Sequence, residues 1–168
     1  LVLGEQLIKR RIERVVSLVP SHHIYGFLWS IVFPHLFKLT VIHPRPNFSQ
    51  FQDGDLILAT PFLIKLWKDR ELLPPQNCLI LVSTAPFDTE LALWLDQNAR
   101  DWLVIYGSTE TAGIGYRKKI TEGFELFPYW KIEISTNHPE VLSRNGQTYP
   151  IPDHVEANAN KVRPLRRK

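Results

Sequence analysis

Trp102-Leu103-Val104-Ile105-Tyr106-Gly107-Ser108-Thr109-Glu110-Thr111-Ala112-Gly113 is the stretch on which the reading of this 168-residue chain turns. Its first four residues are aromatic, aliphatic or β-branched, the makeup of a buried strand. The character then changes at once to a ring, a glycine, hydroxyls and a carboxylate. A strand ending in such a loop can stack its ring on a base and offer hydroxyls and amide N–H groups to a phosphate. The Glu110 carboxylate can hold the magnesium that accompanies such a phosphate.

Upstream of that loop, apolar runs of four to six residues alternate with helical patterns, the signature of an α/β sheet. Val15 to Val19, Leu39 to Ile42, Leu56 to Ala59 and Leu79 to Val82 read as strands. Tyr25 to Phe33 reads as an apolar helix ending near Pro34. Thr60-Pro61 starts a second helix, with Thr60 as cap and Pro61 in the first turn. Phe62, Leu63, Leu66 and Trp67 are expected on one face of it. Asp88 caps a third. Downstream of Tyr116 the pattern becomes short and alternating, as in Lys131-Ile132-Glu133-Ile134-Ser135, which predicts half-exposed antiparallel strands. The expected fold is therefore α/β, a parallel sheet with flanking helices to about residue 117, followed by a small β segment to residue 156.

Composition narrows the class. A 44% apolar and 22% charged chain is ordinary for a globular domain with a real core. No run reaches the ~18 apolar residues of a membrane span. The net charge of +3 is local: residues 161–168 hold five of the 20 basic side chains, and the other 160 residues carry 15 basic and 17 acidic ones. Residues 157–168 thus read as a solvated, disordered basic tail, and no nucleic-acid partner is expected. The single Cys78 excludes an internal disulfide framework and suits a reducing, cytoplasmic compartment. The chain has no methionine, position 1 included, and reads as a piece of something longer.

The Tyr106–Glu110 string resembles the adenylate-binding loop of the AMP-forming synthetase superfamily: acyl- and aryl-CoA ligases, luciferases and nonribosomal adenylation domains. Three further segments extend the likeness. Ser83-Thr84-Ala85-Pro86 stands where the family has a small-residue, usually glycine-rich stretch bordering the adenine and acyl pocket. Read without the family, it is a helix start. Pro20-Ser21-His22-His23-Ile24-Tyr25-Gly26 is similar to a segment that lines the acyl pocket and shifts between half-reactions. A histidine pair also invites a metal reading, but no acidic or cysteine partner sits at ligand spacing. Ile151-Pro152-Asp153 lies where the family carries a Thr-Gly-Asp motif; the Thr-Gly is absent here, and the alternative for Asp153 is a surface turn. The likeness covers roughly Val15 to Glu156, and Arg117 continues it.

The resemblance implies a ligase that couples a carboxylic acid to the α-phosphate of ATP. The acyl-adenylate is then passed to the thiol of coenzyme A or a phosphopantetheinyl carrier protein. ATP or AMP and Mg2+ are the implied cofactors, and fatty or aromatic acid metabolism the implied setting. By the same resemblance Tyr106 stacks on adenine, Thr109 bonds the α-phosphate, Glu110 holds magnesium and Asp153 holds the ribose. Gly107, Ser108, Ser83, Thr84 and Ala85 border the nucleotide, and His23 lines the acyl pocket. No Ser/Thr/Gly-rich loop with a lysine precedes Val15, and neither the hinge nor the C-terminal domain of the family is found. The expected protein is therefore truncated, with weak or no activity alone. The alternative is a non-catalytic nucleotide- or acyl-binding module, or a degenerate remnant.

Overall fold

A computed structural model describes residues 2–10, 12–44, 51–135, 138–151, 153–158 and 160–167. Of the residues named above, Pro152 and Lys168 lie outside that set. The chain divides into two compact units, Leu1–Val104 and Ile105–Lys168.

The first unit contains α1 (Val2–Ile8), β1 (Arg14–Ser17), α2 (Ile24–Phe27), α3 (Phe33–Phe37), β2 (Thr40–Ile42), β3 (Asp55–Ala59), α4 (Pro61–Asp69), β4 (Leu79–Val82) and α5 (Thr89–Asn98). The first four residues of β5 (Asp101–Ser108) complete it. The strands lie in the order β2-β1-β3-β4-β5, every pairing parallel. Parallel strands covered on both faces need unbroken apolar runs, and β3 and β4 are buried at every position. Leu56, Ile57, Leu58, Ile80 and Leu81 exclude water completely, each contributing ~1.5–3 kcal/mol. The α/β reading and the strand assignments agree with this architecture.

Two details differ from the sequence reading. The helix begun at Ile24 does not stop at Pro34; it widens into a π turn over Leu28–Val32 and continues as α3 to Phe37. Proline has no N–H to donate and crowds the carbonyl four residues back. The wider turn relieves that conflict: the Phe33 N–H reaches the Leu28 carbonyl, five residues back. In α4 the buried residues are Pro61, Ile64 and Trp67, while Phe62 is 72% exposed. The face is set by the spacing from Ile64 to Trp67, not by the apolar count.

A polar clip ties the amino ends of the strands. Asp55 is fully buried, and β1 and β3 pair in a register that sets Arg14 against it. The guanidinium donates to both carboxylate oxygens, at 2.5 and 3.0 Å, and the Gln52 N–H adds a third bond at 2.7 Å. That pairing raises the Arg14 pKa. Cys78 donates to the Gln52 carbonyl at 3.1 Å, and burial pushes its thiol up to about 12.

The second unit holds the rest of β5, then β6 (Ala112–Arg117), β7 (Phe124–Leu126), β8 (Lys131–Ser135), β9 (His138–Arg144), β10 (Gln147–Pro150), β11 (Asp153–Asn158) and β12 (Lys161–Arg167). From β5 the same strand order continues β6-β7-β12-β11, and a smaller, separate antiparallel sheet runs β8-β9-β10. Only three residues join β5 to β6, a connection short enough for an antiparallel hairpin alone. β9 and β10 meet at Asn145-Gly146, both at positive φ (53° and 77°), as a tight two-residue hairpin turn requires.

Residues 161–167, expected to be a disordered tail, form β12 between β7 and β11. Val162 is 1% exposed while Lys161 and Arg163 face water. Lys161 and Arg163 occupy the outward positions on either side of Val162, so their charge did not prevent pairing.

Candidate functional site

The loop Tyr106–Thr111 is shaped by its own hydroxyls. Thr111 is buried, and its Oγ1 lies 2.9 Å from Ser108 Oγ and accepts the Ser108 N–H at 3.2 Å. The Ser108 Oγ in turn accepts the Thr111 N–H at 3.3 Å. This closed set of bonds spans Thr109 and Glu110 and leaves both exposed. Gly107 serves the same turn by lacking a side chain, because a Cβ there would stand 1.9 Å from the Ala112 carbonyl oxygen. Ala112 takes a left-handed φ of 56° to begin β6. Thr111 was not among the sequence candidates; the signal for it was a second hydroxyl three residues after Ser108, the spacing of a side-chain-closed turn.

Tyr106 and Asp153, 47 residues apart, meet. The phenol donates to Asp153 Oδ2 at 2.6 Å. β5 and β11 stand four strand spacings apart in the strand order, ~19 Å if that stretch were flat. The run β5-β6-β7-β12-β11 must therefore curl until these two strands approach. The Tyr106 ring rests against buried Phe124, with centroids 5.2 Å apart at 38°. Phe124 also carries the Arg117 guanidinium, 4.4 Å from its centroid. Arg117 donates to the Ile120 carbonyl at 3.2 Å, closing the β6–β7 turn, and burial followed by the charge of Arg163 lowers its pKa. Phe124, too, went unnoticed in the sequence, where nothing separated it from other core aromatics.

The remaining candidates lie in the first unit. Ser83 is half-buried, and Thr84, Ala85 and Pro86 are exposed where β4 ends. Thr84 sits at φ 88°, a conformation that favours glycine. His23 is exposed and precedes the first turn of α2 without a side-chain cap bond. The His22 and His23 rings do not diverge; their centroids are 4.3 Å apart. Tyr25 and Trp29 are core residues. The Tyr25 hydroxyl donates to the Leu81 carbonyl at 2.5 Å, and burial pushes its pKa well above the usual phenol range. Phe27 remains 45% exposed.

The arrangement suits a nucleotide with a divalent ion. An exposed carboxylate oxygen donor in a fixed turn fits magnesium, which binds through one or two carboxylates plus substrate phosphates. Glu110 meets that description.

Comparison with known proteins bears directly on this chemistry. The chain is 34% identical over 152 residues to the 4-coumarate–CoA ligase of Cereibacter sphaeroides, and 32% identical over 149 residues to that of Rhodobacter capsulatus. These alignments take in 86% and 84% of the chain. The chain belongs to the AMP-forming synthetases. It spans 35% and 37% of the length of those two curated relatives.

Solved structures agree on the fold of this AMP-forming synthetase stretch. An acyl-CoA synthetase (AMP-forming)/AMP-acid ligase II-like protein from Dyadobacter fermentans matches 98% of the chain with 51% of its own, at TM-score 0.72 and 19% identity. The MenE protein of E. coli, solved with an analogue of OSB-AMS, matches 96% of the chain with 42% of its own, at TM-score 0.74 and 16% identity. O-succinylbenzoate coenzyme A synthetase from Bacillus subtilis, solved with ATP and a magnesium ion, matches 87% with 36% of its own, at TM-score 0.65 and 16% identity. A scan against protein-family models finds no match. Among the described residues no helix is long and apolar enough to cross a membrane.

Proposed function

We propose that this chain is the adenylate-binding part of an acid–CoA ligase, and that it binds AMP and acyl-adenylate without turning substrate over by itself. The observation that carries the reading is the turn closed by Ser108 and Thr111, which presents Thr109 and Glu110 beside the Tyr106–Asp153 pair.

In this reading the Tyr106 ring stacks on adenine, Thr109 donates its hydroxyl to the α-phosphate, and Asp153 accepts from the ribose hydroxyls. Glu110 supplies a carboxylate oxygen to magnesium, which when bound neutralises phosphate charge. Gly107 and Ser108 bring backbone close to the nucleotide. Ser83, Thr84 and Ala85 border the adenine and His23 lines the acyl pocket, roles that rest on the family resemblance alone. The substrate is a small carboxylic acid, and the acceptor is the thiol of coenzyme A; a phosphopantetheinyl carrier protein is the other acceptor of the same chemistry.

Phosphoryl-level chemistry of this kind depends on alignment and charge neutralisation more than on a general base. Attack of a carboxylate on the α-phosphate further requires cations for the β- and γ-phosphates and for the incoming acid. The matched relatives are nearly three times as long as the stretch they share with this chain, and we assign those groups to the portion outside it. On the same reading the adenylate-binding unit runs past the residue-156 limit expected from the sequence and takes in β12, because β12 joins β11 and its Asp153 to the sheet.

Calorimetric titration with AMP and a nonhydrolysable acyl-adenylate, with and without magnesium, tests the proposal. Saturable binding is expected, weakened ~1–3 kcal/mol by Tyr106→Ala, the worth of one base–aromatic stack. Glu110→Gln should remove only the magnesium-dependent part. Equal AMP affinity in all three proteins would overturn both assignments, and no binding by the folded chain would make it a remnant.

A further inference from the structure

The hydroxyl of Tyr106 has a use beyond the ring that carries it. Its bond to Asp153 Oδ2 is short, at 2.6 Å, and joins a neutral donor to a charged acceptor, the stronger class of hydrogen bond. The ring is held on its side by Phe124, which is itself buried and backed by Arg117. Tyr106 is therefore fixed at both its face and its tip, and it fixes Asp153 in turn. A carboxylate accepts at both oxygens, and Oδ1 takes no part in the bond to Tyr106.

We propose that Tyr106 and Asp153 act as one recognition unit, in which the Tyr106 hydroxyl positions the carboxylate that reads the ribose hydroxyls. Base stacking and ribose selection are thereby linked through a single phenol. Tyr106 is then a specificity-determining residue for ribonucleotides over nucleotides lacking those hydroxyls, as well as a stacking platform. This rests on the adenylate reading above. It also explains why a phenol stands where a plain phenyl ring would stack equally well.

The test compares AMP with 2′,3′-dideoxy-AMP, titrated into the full chain, its Tyr106→Phe and Asp153→Asn variants and the double variant. Thermal unfolding confirms that each is folded. The wild-type chain is expected to prefer AMP by about tenfold, the worth of a hydrogen bond to a charged group. Tyr106→Phe should keep the affinity for the dideoxy nucleotide within about twofold while erasing most of the preference for AMP. Asp153→Asn should erase the same preference, and the double variant should lose little more. If Tyr106→Phe lowers both affinities equally, or neither, the hydroxyl does not position the carboxylate and the inference fails while the adenylate reading stands. If the folded wild-type chain binds neither nucleotide, the adenylate reading itself fails and takes this one with it. Should Tyr106→Phe not fold, Asp153→Asn alone decides, since an unchanged preference for AMP removes the carboxylate from ribose recognition.

Discussion

The two units of this molecule are built on opposite economies. The first is a parallel sheet whose central strands carry unbroken apolar runs, with one buried ion pair, Arg14–Asp55, as its main polar commitment. The second is built from antiparallel pairs, and its distinctive contacts are hydroxyls, rings and one carboxylate: Ser108–Thr111, Tyr106–Asp153, Tyr106–Phe124. Burial is non-directional, so the first unit tolerates exchange of one aliphatic residue for another of similar volume. Hydrogen-bond geometry is directional, so the second unit has little such tolerance where its loop is set. The proposed nucleotide contacts sit where the geometry is exacting, and the apolar burial where it is forgiving.

Four measurements would break or sharpen that contrast. Cys78 lies at the polar edge of the first unit, its thiol pushed up to about 12 from an ordinary 9.0. Its thiolate fraction at pH 8 should be ~10³-fold lower than in the unfolded chain, and iodoacetamide should label it only on denaturation. A pKa raised in the fold favours the native state below pH 9, and that contribution disappears as pH rises toward 12. Rapid labelling of the native chain at pH 8 would show that the edge is open.

Next in size, Asp55→Asn should cost ~3 kcal/mol in urea unfolding, because it leaves the Arg14 guanidinium without its charge partner. AMP affinity of the surviving folded fraction should be unchanged. A loss of affinity without a loss of stability would erase the division of labour between the units.

Thr111→Val should do the reverse. It removes the oxygen that closes the 108–111 turn and should weaken magnesium-dependent nucleotide binding by ~1–2 kcal/mol, with Thr111→Ser restoring it. An equal response in the presence and absence of magnesium would place the effect on the fold instead of on Glu110.

The smallest effect is Thr84→Gly, which should raise the unfolding free energy by ~1 kcal/mol by relieving a left-handed backbone. Destabilisation would mean that the threonine side chain contributes more than its φ of 88° costs.

The first unit was readable because its signals are one-dimensional. An apolar run such as Leu79-Ile80-Leu81-Val82 names a buried strand without reference to anything else, and Asp88 and Thr60 cap where their residue types predict, accepting from the Leu91 and Leu63 N–H groups. The family likeness was legible in Tyr106–Glu110 for the same reason: five consecutive residues carry it. The rest depended on partners far along the chain. Nothing near Phe124 announces that it will support Tyr106, and nothing near Lys161 announces a strand that pairs with both β7 and β11. A basic segment looks solvated until its alternate residues, Val162 among them, are seen to have a sheet to face. Asn145-Gly146 was a local hairpin signal that the reading passed over.

The placement of β12 sets an order of events. It is the latest described strand in the chain, yet it lies inside the sheet, between β7 and β11. β11 has no other partner in that sheet and cannot join it until β12 has arrived. During synthesis, the first unit can close as its strands emerge, since each parallel pairing uses residues already made. The edge that carries Asp153 must wait. Tyr106 is made early and meets its carboxylate late, so the proposed nucleotide site is the last part of the described chain to come into being.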